Sequence, residues 1–353
     1  MNDQAPIHFD KHGYQSLNTY LTESQPSKVV LLVDDNTEEH CLELFLSQIN
    51  FNQDPITIAI PAGEDQKHMG TVMALIDELT NQGLDRKSLL INLGGGVITD
   101  LGGFVASIFK RGMAYVNVPT TLLAMVDAAI GGKTGVDLEH LKNQIGVINQ
   151  SQMVLVDATY LKTLPKNQLH SGFAEMIKHG LISSKEHWQQ INKVVVHGSV
   201  SPNALITTSI SVKQAIVEQD PNELGIRKAL NYGHTLGHAI ESFCLSSNEI
   251  PTLLHGEAIA VGMILETYIS EQLFGFPKNI LTELTHLVGQ LYGKVDFKTE
   301  HIEEIISLLS YDKKNVDGRI NFVLLEDIGA IALDCEVSNE LIMSAFNFCK
   351  QTL

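Results

Sequence analysis

The rhythm of apolar residues along this chain changes once, near residue 160, and that change limits the fold more than any other feature. Before it, the short runs KVVLLV, ITIAI, SLLINL, AYVNV and MVLVD have the apolar, β-rich character of buried strands, and helical segments such as MGTVMALIDELTNQG separate them. Strands alternating with helices predict a Rossmann-like, doubly wound parallel α/β sheet whose ligands collect at the carboxyl ends of its strands. Past Pro165 the pattern is long and helical, apart from RINFVLLEDIGAIAL at residues 319–333, which alternates like a small hairpin. A chain of 353 residues is long for one core and suits two. The expected organisation is an α/β domain over residues 1–160 and a mainly α-helical domain over residues 161–353.

Composition removes several classes of function. A net charge of -17 opposes general binding to nucleic acid or to an anionic membrane surface, so an anionic ligand needs a local basic pocket. Cys41, Cys244, Cys335 and Cys349 are widely spaced and form no CxxC pair, which argues against both a disulfide framework and a cysteine metal site. The polar start MNDQAPIHFDKHGYQ lacks the apolar core of a secretory signal, and no uncharged apolar run reaches the roughly 18 residues of a membrane span. A soluble protein of the reducing cytoplasm is expected.

The second half carries the chemistry of a metal site. His234 and His238 lie four residues apart in NYGHTLGHAIE, so on a helix both imidazoles project from one face. His255 follows in LLHGEA beside Glu257, and Glu175 shares GFAEMIKHG with Lys178. Two histidines and a carboxylate form a common catalytic zinc set with one position left open. HxxxH also occurs in helices whose histidines are merely hydrogen-bonded, and spacing alone does not say which of the three histidines would be ligands.

In the first half, SLLINL runs into Gly94, Gly95 and Gly96 and then into the helical VITDLGGFVASIFK. Backbone amides at such a strand-to-helix turn suit a pyrophosphate, although Thr99 stands where GxGxxG requires its third glycine. Asp100, and Thr120 and Thr121 after AYVNV, add polar groups at strand ends. Cations also sit in glycine-rich or apolar surroundings: Arg111, Lys133, Lys142, Lys178, Lys213, Arg227, Lys313 and Lys314. Singly each fits a solvated face; together they suit a phosphorylated or carboxylated substrate.

The ordered series PAGEDQK, GGGVITDLGGF, RGMAYVNVPTTLLAMVDAAIGGKTGVD, KNQIG, LKTLP, SGFAEMIKHGLI, ELGIRKALNYGHTLGHAIE, LLHGEAIAVGM and YDKKNVDGRINFVLL resembles the 3-dehydroquinate synthase family of the sugar-phosphate cyclases over nearly the whole chain. The resemblance implies a cytoplasmic, homodimeric shikimate-pathway enzyme that uses NAD and a divalent metal, zinc or cobalt. It would convert 3-deoxy-D-arabino-heptulosonate 7-phosphate to 3-dehydroquinate and phosphate. It implies Glu175, His234 and His255 as metal ligands, which moves His238 to the substrate side. It implies an NAD site at Asp34, Asn36, Glu64, Lys67, Gly95, Gly96, Asp100, Thr120, Thr121 and Leu123, with Lys142 between cofactor and substrate. Substrate contacts would come from Asp127, Lys133, Asn143, Lys178, Lys213, Arg227, Asn231 and His238, with Glu223 near the reacting centre and Lys313 and Lys314 in the DKK motif. Arg111 matches an arginine that reaches the neighbouring subunit's substrate phosphate.

The chain departs from the family pattern at Thr99, at HLKNQIG, which lacks a glycine before its lysine, and at IKHG in place of IKYG. The alternatives are a cyclase of sedoheptulose 7-phosphate or glucose 6-phosphate, a metal-dependent polyol dehydrogenase, and a silent metal- or nucleotide-binding protein. Lys213, Arg227, Asn231 and His238 favour the carboxylated substrate.

Overall fold

The computed structural model describes residues 4–139, 141–197, 202–247, 249–309 and 320–353. The chain forms two compact units, Met1–Leu169 and His170–Leu353.

In the first unit β1 (Ile7–Phe9) leads into α1 (Asp10–Ser24), and β2 (Val29–Asp34) into α2 (Asp35–His40) and α3 (Leu42–Gln48). Then follow β3 (Ile56–Ile60), α4 (Met69–Asn81), β4 (Leu89–Gly94), α5 (Gly96–Ile108) and β5 (Ala114–Pro119). The paired β6 (Lys133–Leu138) and β7 (Leu141–Ile148) precede β8 (Val154–Val156). Six strands form a parallel sheet in the order β1-β8-β5-β4-β2-β3, and β6 and β7 pair antiparallel outside it.

The runs of β2 and β4 are buried along their length, whereas ITIAI, expected to be buried, is the edge strand β3 and exposes Thr57 and Ala59. Val30, Leu32 and Leu90 pack with Val72, Leu75 and Leu79 of α4 and with Ile98, Leu101 and Val105 of α5. From β2 the chain adds β3 on one side and then returns to place β4 on the other. The order therefore reverses between β2 and β4, the point at which a doubly wound sheet collects ligands outside its carboxyl ends, and Asp34 and Gly94 lie at those ends.

The second unit is mainly helical: α6 (Lys166–Ser183), α7 (Lys185–His197), α8 (Pro202–Gln219), α9 (His234–Ser246), α10 (His255–Phe274), α11 (Lys278–Tyr292) and α12 (Thr299–Leu308). The expected hairpin is present as antiparallel β9 (Phe322–Asp327) and β10 (Ala330–Cys335), and α13 (Asn339–Thr352) closes the unit. Nearly the whole middle of α10, from Ala258 to Leu265, is buried, so this helix is the axis of the unit. Among the described residues no helix is long and apolar enough to cross a membrane.

Candidate active site

Three helices of the second unit bring its candidate ligands together. Glu175 lies in α6, His234 is the first residue of α9 and His255 is the first of α10. Their approach depends on two glycines. A β-carbon on Gly262 of α10 would sit 2.1 Å from the Gly233 carbonyl oxygen at the start of α9, and one on Gly256 would sit 2.0 Å from the Ser171 carbonyl of α6. No side chain fits at either point, so backbone meets backbone and the three ligand-bearing positions converge.

Nε2 of His234 lies 3.4 Å from Oε1 of Glu175, and Nε2 of His255 lies 3.5 Å from the same oxygen. The opposite nitrogens fix the tautomers. Nδ1 of His234 is 3.0 Å from the Tyr232 carbonyl, and Nδ1 of His255 is 3.0 Å from Oε2 of Glu241. A carbonyl and a carboxylate only accept, so both Nδ1 atoms donate, and each Nε2, once it carries no proton, offers its lone pair for a ligand bond.

Glu175 is fully buried, and by hydrogen-bond geometry neither of its oxygens has a partner among the described residues; the Lys178 ammonium, one helical turn on, forms an ion pair with Oε2. Burial opposes the Glu175 charge, but Lys178 and His234 outweigh it and hold the carboxyl well below the usual range. Burial and the Lys178 ammonium push His234 down. Burial also opposes charge on His255, where the Glu241 and Glu175 carboxylates prevail and push it up to about 10. A cation bound between His255 and Glu175 would displace the proton that these carboxylates hold on His255.

His238 completes a second grouping. One donor atom from each of His234, His238 and His255 lies within 4.8 Å of the others, with the His238 ring centroid 5.1 Å from that of His234. Glu257 does something else: its Oε2 accepts the Leu254 amide at 2.7 Å and caps α10.

Of the remaining second-unit candidates, Glu223, Arg227 and Asn231 lie together after α8, and Lys213 lies on α8 itself. Lys213 and Arg227 are buried, and Asn231 donates to Oε1 of Glu223 at 2.7 Å. Glu223 has a positive φ of 60°. Asp220, unmarked by any sequence motif, organises this loop: its carboxylate accepts the amides of Leu224, Gly225 and Arg227 at 3.0, 2.7 and 3.0 Å. Lys313 and Lys314 lie outside the described residues.

In the first unit Gly95 and Gly96 open α5 directly after β4, as the glycine turn requires. The Thr99 hydroxyl donates to the Gly96 carbonyl at 3.1 Å, so its added group is absorbed inside the helix. Asp34 ends β2 and caps α2 through the Thr37 amide at 2.8 Å, and Asn36 is exposed beside it. Thr120 donates its amide to the Gly94 carbonyl, and the Thr121 hydroxyl accepts the Ala124 amide at 3.2 Å. Leu123 precedes a π-helical turn, Ala124–Ala128, that carries Asp127.

A charged chain links six further residues. Lys67 pairs with Asp100 at 2.6 Å and donates to Oδ1 of Asn143 at 2.7 Å. Asn143 donates its amide to Asp137 at 2.7 Å, and Lys142 bridges Asp137 at 3.3 Å and Glu64 at 2.7 Å. Burial works against the Lys67 charge, and Asp100, Glu64 and Asp137 more than restore it. Lys133 starts β6, and Arg111 is exposed at a tight turn with a φ of 67°.

Sequence reasoning missed Glu241, Asp137, Asp220 and Glu266. Glu241 alone had a readable signal: it follows His234 by seven residues and His238 by three, on the same face of α9.

The comparisons with known proteins agree with this architecture. A 2-deoxy-scyllo-inosose synthase, solved with carbaglucose-6-phosphate, NAD+ and Co2+, superposes with a TM-score of 0.82 at 25% identity, covering 98% of this chain and 96% of that one. A 2-epi-5-epi-valiolone synthase from Streptomyces hygroscopicus subsp. jinggangensis, solved with NAD+ and Zn2+, shares the fold with a TM-score of 0.86 at 24% identity, covering 99% of this chain and 98% of that one. The fold is the one that these two synthases share. The 3-dehydroquinate synthase N-terminal model matches residues 57–171 and the C-terminal model residues 172–315, so the chain belongs to the 3-dehydroquinate synthase family. The 3-dehydroquinate synthase of Parabacteroides distasonis is 40% identical over 338 residues, 95% of each chain.

Proposed function

We propose that this chain is a phosphorus–oxygen lyase that converts 3-deoxy-D-arabino-heptulosonate 7-phosphate to 3-dehydroquinate and phosphate, with NAD and a divalent zinc or cobalt ion. The observation that carries this reading is the convergence of Nε2 of His234 and His255 on one buried Glu175 oxygen, at 3.4 and 3.5 Å. A carboxylate whose oxygens accept no hydrogen bond of normal geometry, faced by the Nε2 atoms of two histidines, fits a divalent cation. The inosose synthase relative carries Co2+ and the valiolone synthase relative Zn2+, each with NAD+, which supports the same cofactors here.

Bound, the two cofactors supply reversible oxidation of a carbinol and Lewis-acid polarisation of its oxygens. The protein's own residues bind and orient. Amides of Gly95 and Gly96 at the α5 N-terminus suit the pyrophosphate, and Asp34 and Asn36 at the end of β2 suit the nucleoside. Glu64, Lys67, Asp100, Thr120, Thr121, Leu123 and Lys142 complete the cofactor side. Lys213 and Arg227 are buried cations for the substrate's anionic groups, with Asp127, Lys133, Asn143, Lys178, Asn231 and His238 as further contacts. Glu223, tied to Asn231, orients that amide. No protein base is assigned to phosphate elimination, because the departing phosphate can accept the proton. A homodimer in which Arg111 reaches the partner's substrate phosphate, and a cytoplasmic location, belong to the same reading.

The test supplies metal-loaded protein and catalytic NAD with the heptulosonate phosphate, and follows phosphate, dehydroquinate and NADH together. Equal phosphate and dehydroquinate without net NADH is expected. Phosphate release from sedoheptulose 7-phosphate alone would make it a neighbouring cyclase, and accumulating NADH would make it a polyol dehydrogenase.

A further inference from the structure

We propose that Glu241 is a positioning residue that holds the His255 imidazole in its ligand orientation. The inference rests on the reading that Glu175, His234 and His255 bind a divalent cation. His255 begins α10, and its side chain is 30% exposed, so the helix alone does not fix its ring. Glu241 is buried on α9, where a carboxylate is retained at a desolvation cost that needs a compensating partner. Its Oε2 accepts Nδ1–H of His255 at 3.0 Å. That one contact settles the tautomer and turns Nε2 toward Oε1 of Glu175 at 3.5 Å.

The two imidazoles are held differently. His234 leans on a main-chain carbonyl two residues before it, an acceptor that its own helix start provides. His255 instead takes its acceptor from another helix, 14 residues back in sequence. The periodicity of α9 makes this economical, since His234, His238 and Glu241 share one face, so one helix face presents a ligand, a substrate-side imidazole and the brace for the other ligand.

Cobalt(II) alone is the probe, with affinity measured by competition against a chelator and geometry by the visible absorption spectrum of the bound ion. Glu241→Ala should bind cobalt about 10- to 100-fold more weakly, with an altered spectrum. Glu241→Gln keeps an oxygen acceptor at the same reach and should stay near wild type in both. Glu241→Asp keeps the charge but is one methylene too short, and should fall with the alanine variant; the Gln and Asp pair decides the matter even where Ala does not fold. Wild-type affinity and spectrum in Glu241→Ala, or Asp holding while Gln fails, would overturn the positioning role. His255→Ala separates this from the underlying reading: if it binds cobalt as wild type does, the ligand set fails and the inference with it. If it loses cobalt while Glu241→Ala and Glu241→Asp do not, only the inference fails.

Discussion

Two sets of donors compete for one ion at the residue scale, Glu175 with His234 and His255, or His234, His238 and His255. The buried Glu175 charge decides between them: an all-histidine site would leave this carboxylate unbonded to the ion, with the Lys178 ammonium as its compensating charge. His255→Ala is therefore expected to lose its bound divalent metal on dialysis, whereas His238→Ala keeps it at one ion per chain; metal analysis of the two variants checks this. Metal lost equally from both would favour the all-histidine set. Lys133 belongs to the first unit, at the start of β6, and is assigned to substrate rather than metal. Lys133→Ala should raise the substrate requirement or stop turnover with metal content unchanged, and metal loss there would contradict the assignment.

At the scale of elements, the α9 and α10 contact is what carries His234 to the cluster. Its N-terminal amides are satisfied from outside the helix: Oε2 and Oε1 of Glu266, a fully buried residue of α10, accept the Gly233 and Leu236 amides at 2.6 and 3.1 Å. Glu266→Ala strands two buried donors and should lower unfolding free energy by about 3 kcal/mol in denaturant titration, at roughly 1–3 kcal/mol each. Gly262→Ala forces a β-carbon against the Gly233 carbonyl and should cost about 1–3 kcal/mol while weakening metal binding, since the helices must separate. A Gly262→Ala protein of unchanged midpoint would show that the contact is not close.

These elements also mark where sequence reasoning ends. The five strand runs, the α4 and α5 helices, the glycine turn and the late hairpin were legible because each is a local pattern of period or chain direction. The short edge strand β1 and the β6 and β7 pair were not, because LKNQIG and GGKTGV carry glycine and charge in place of an apolar run. Glu241 could be placed on the histidine face from its spacing, but its bond to His255 depends on a crossing of helices that no spacing encodes. Glu266, in the apolar run MILETY, and Asp137 act only through backbone amides or partners distant in sequence.

Over the whole molecule, protons on buried phenols tie the fold to pH. Tyr14, Tyr20, Tyr115, Tyr160, Tyr232 and Tyr292, six of the eight tyrosines, are all raised above the ordinary phenol value, with burial the largest cause in each. Several are also committed as donors: Tyr14 to Asp157 at 2.8 Å, Tyr115 to the Asn149 carbonyl and Tyr292 to the His170 carbonyl at 2.8 Å. A phenolate cannot donate, so ionisation would break these bonds and strand a charge in the core. The folded values lie above the unfolded value of about 10, so the folded chain holds more protons at alkaline pH. The stability this represents is fully present below about pH 10 and is lost as pH rises from there toward the folded values. Because Tyr14, Tyr20, Tyr115 and Tyr160 lie in the first unit and Tyr232 and Tyr292 in the second, neither unit escapes the effect. In an alkaline titration most tyrosinate absorbance should therefore appear together with the loss of helical circular dichroism, above about pH 10. Six phenols ionising near their ordinary value with the dichroism unchanged would mean that these rings are open to water in the folded protein.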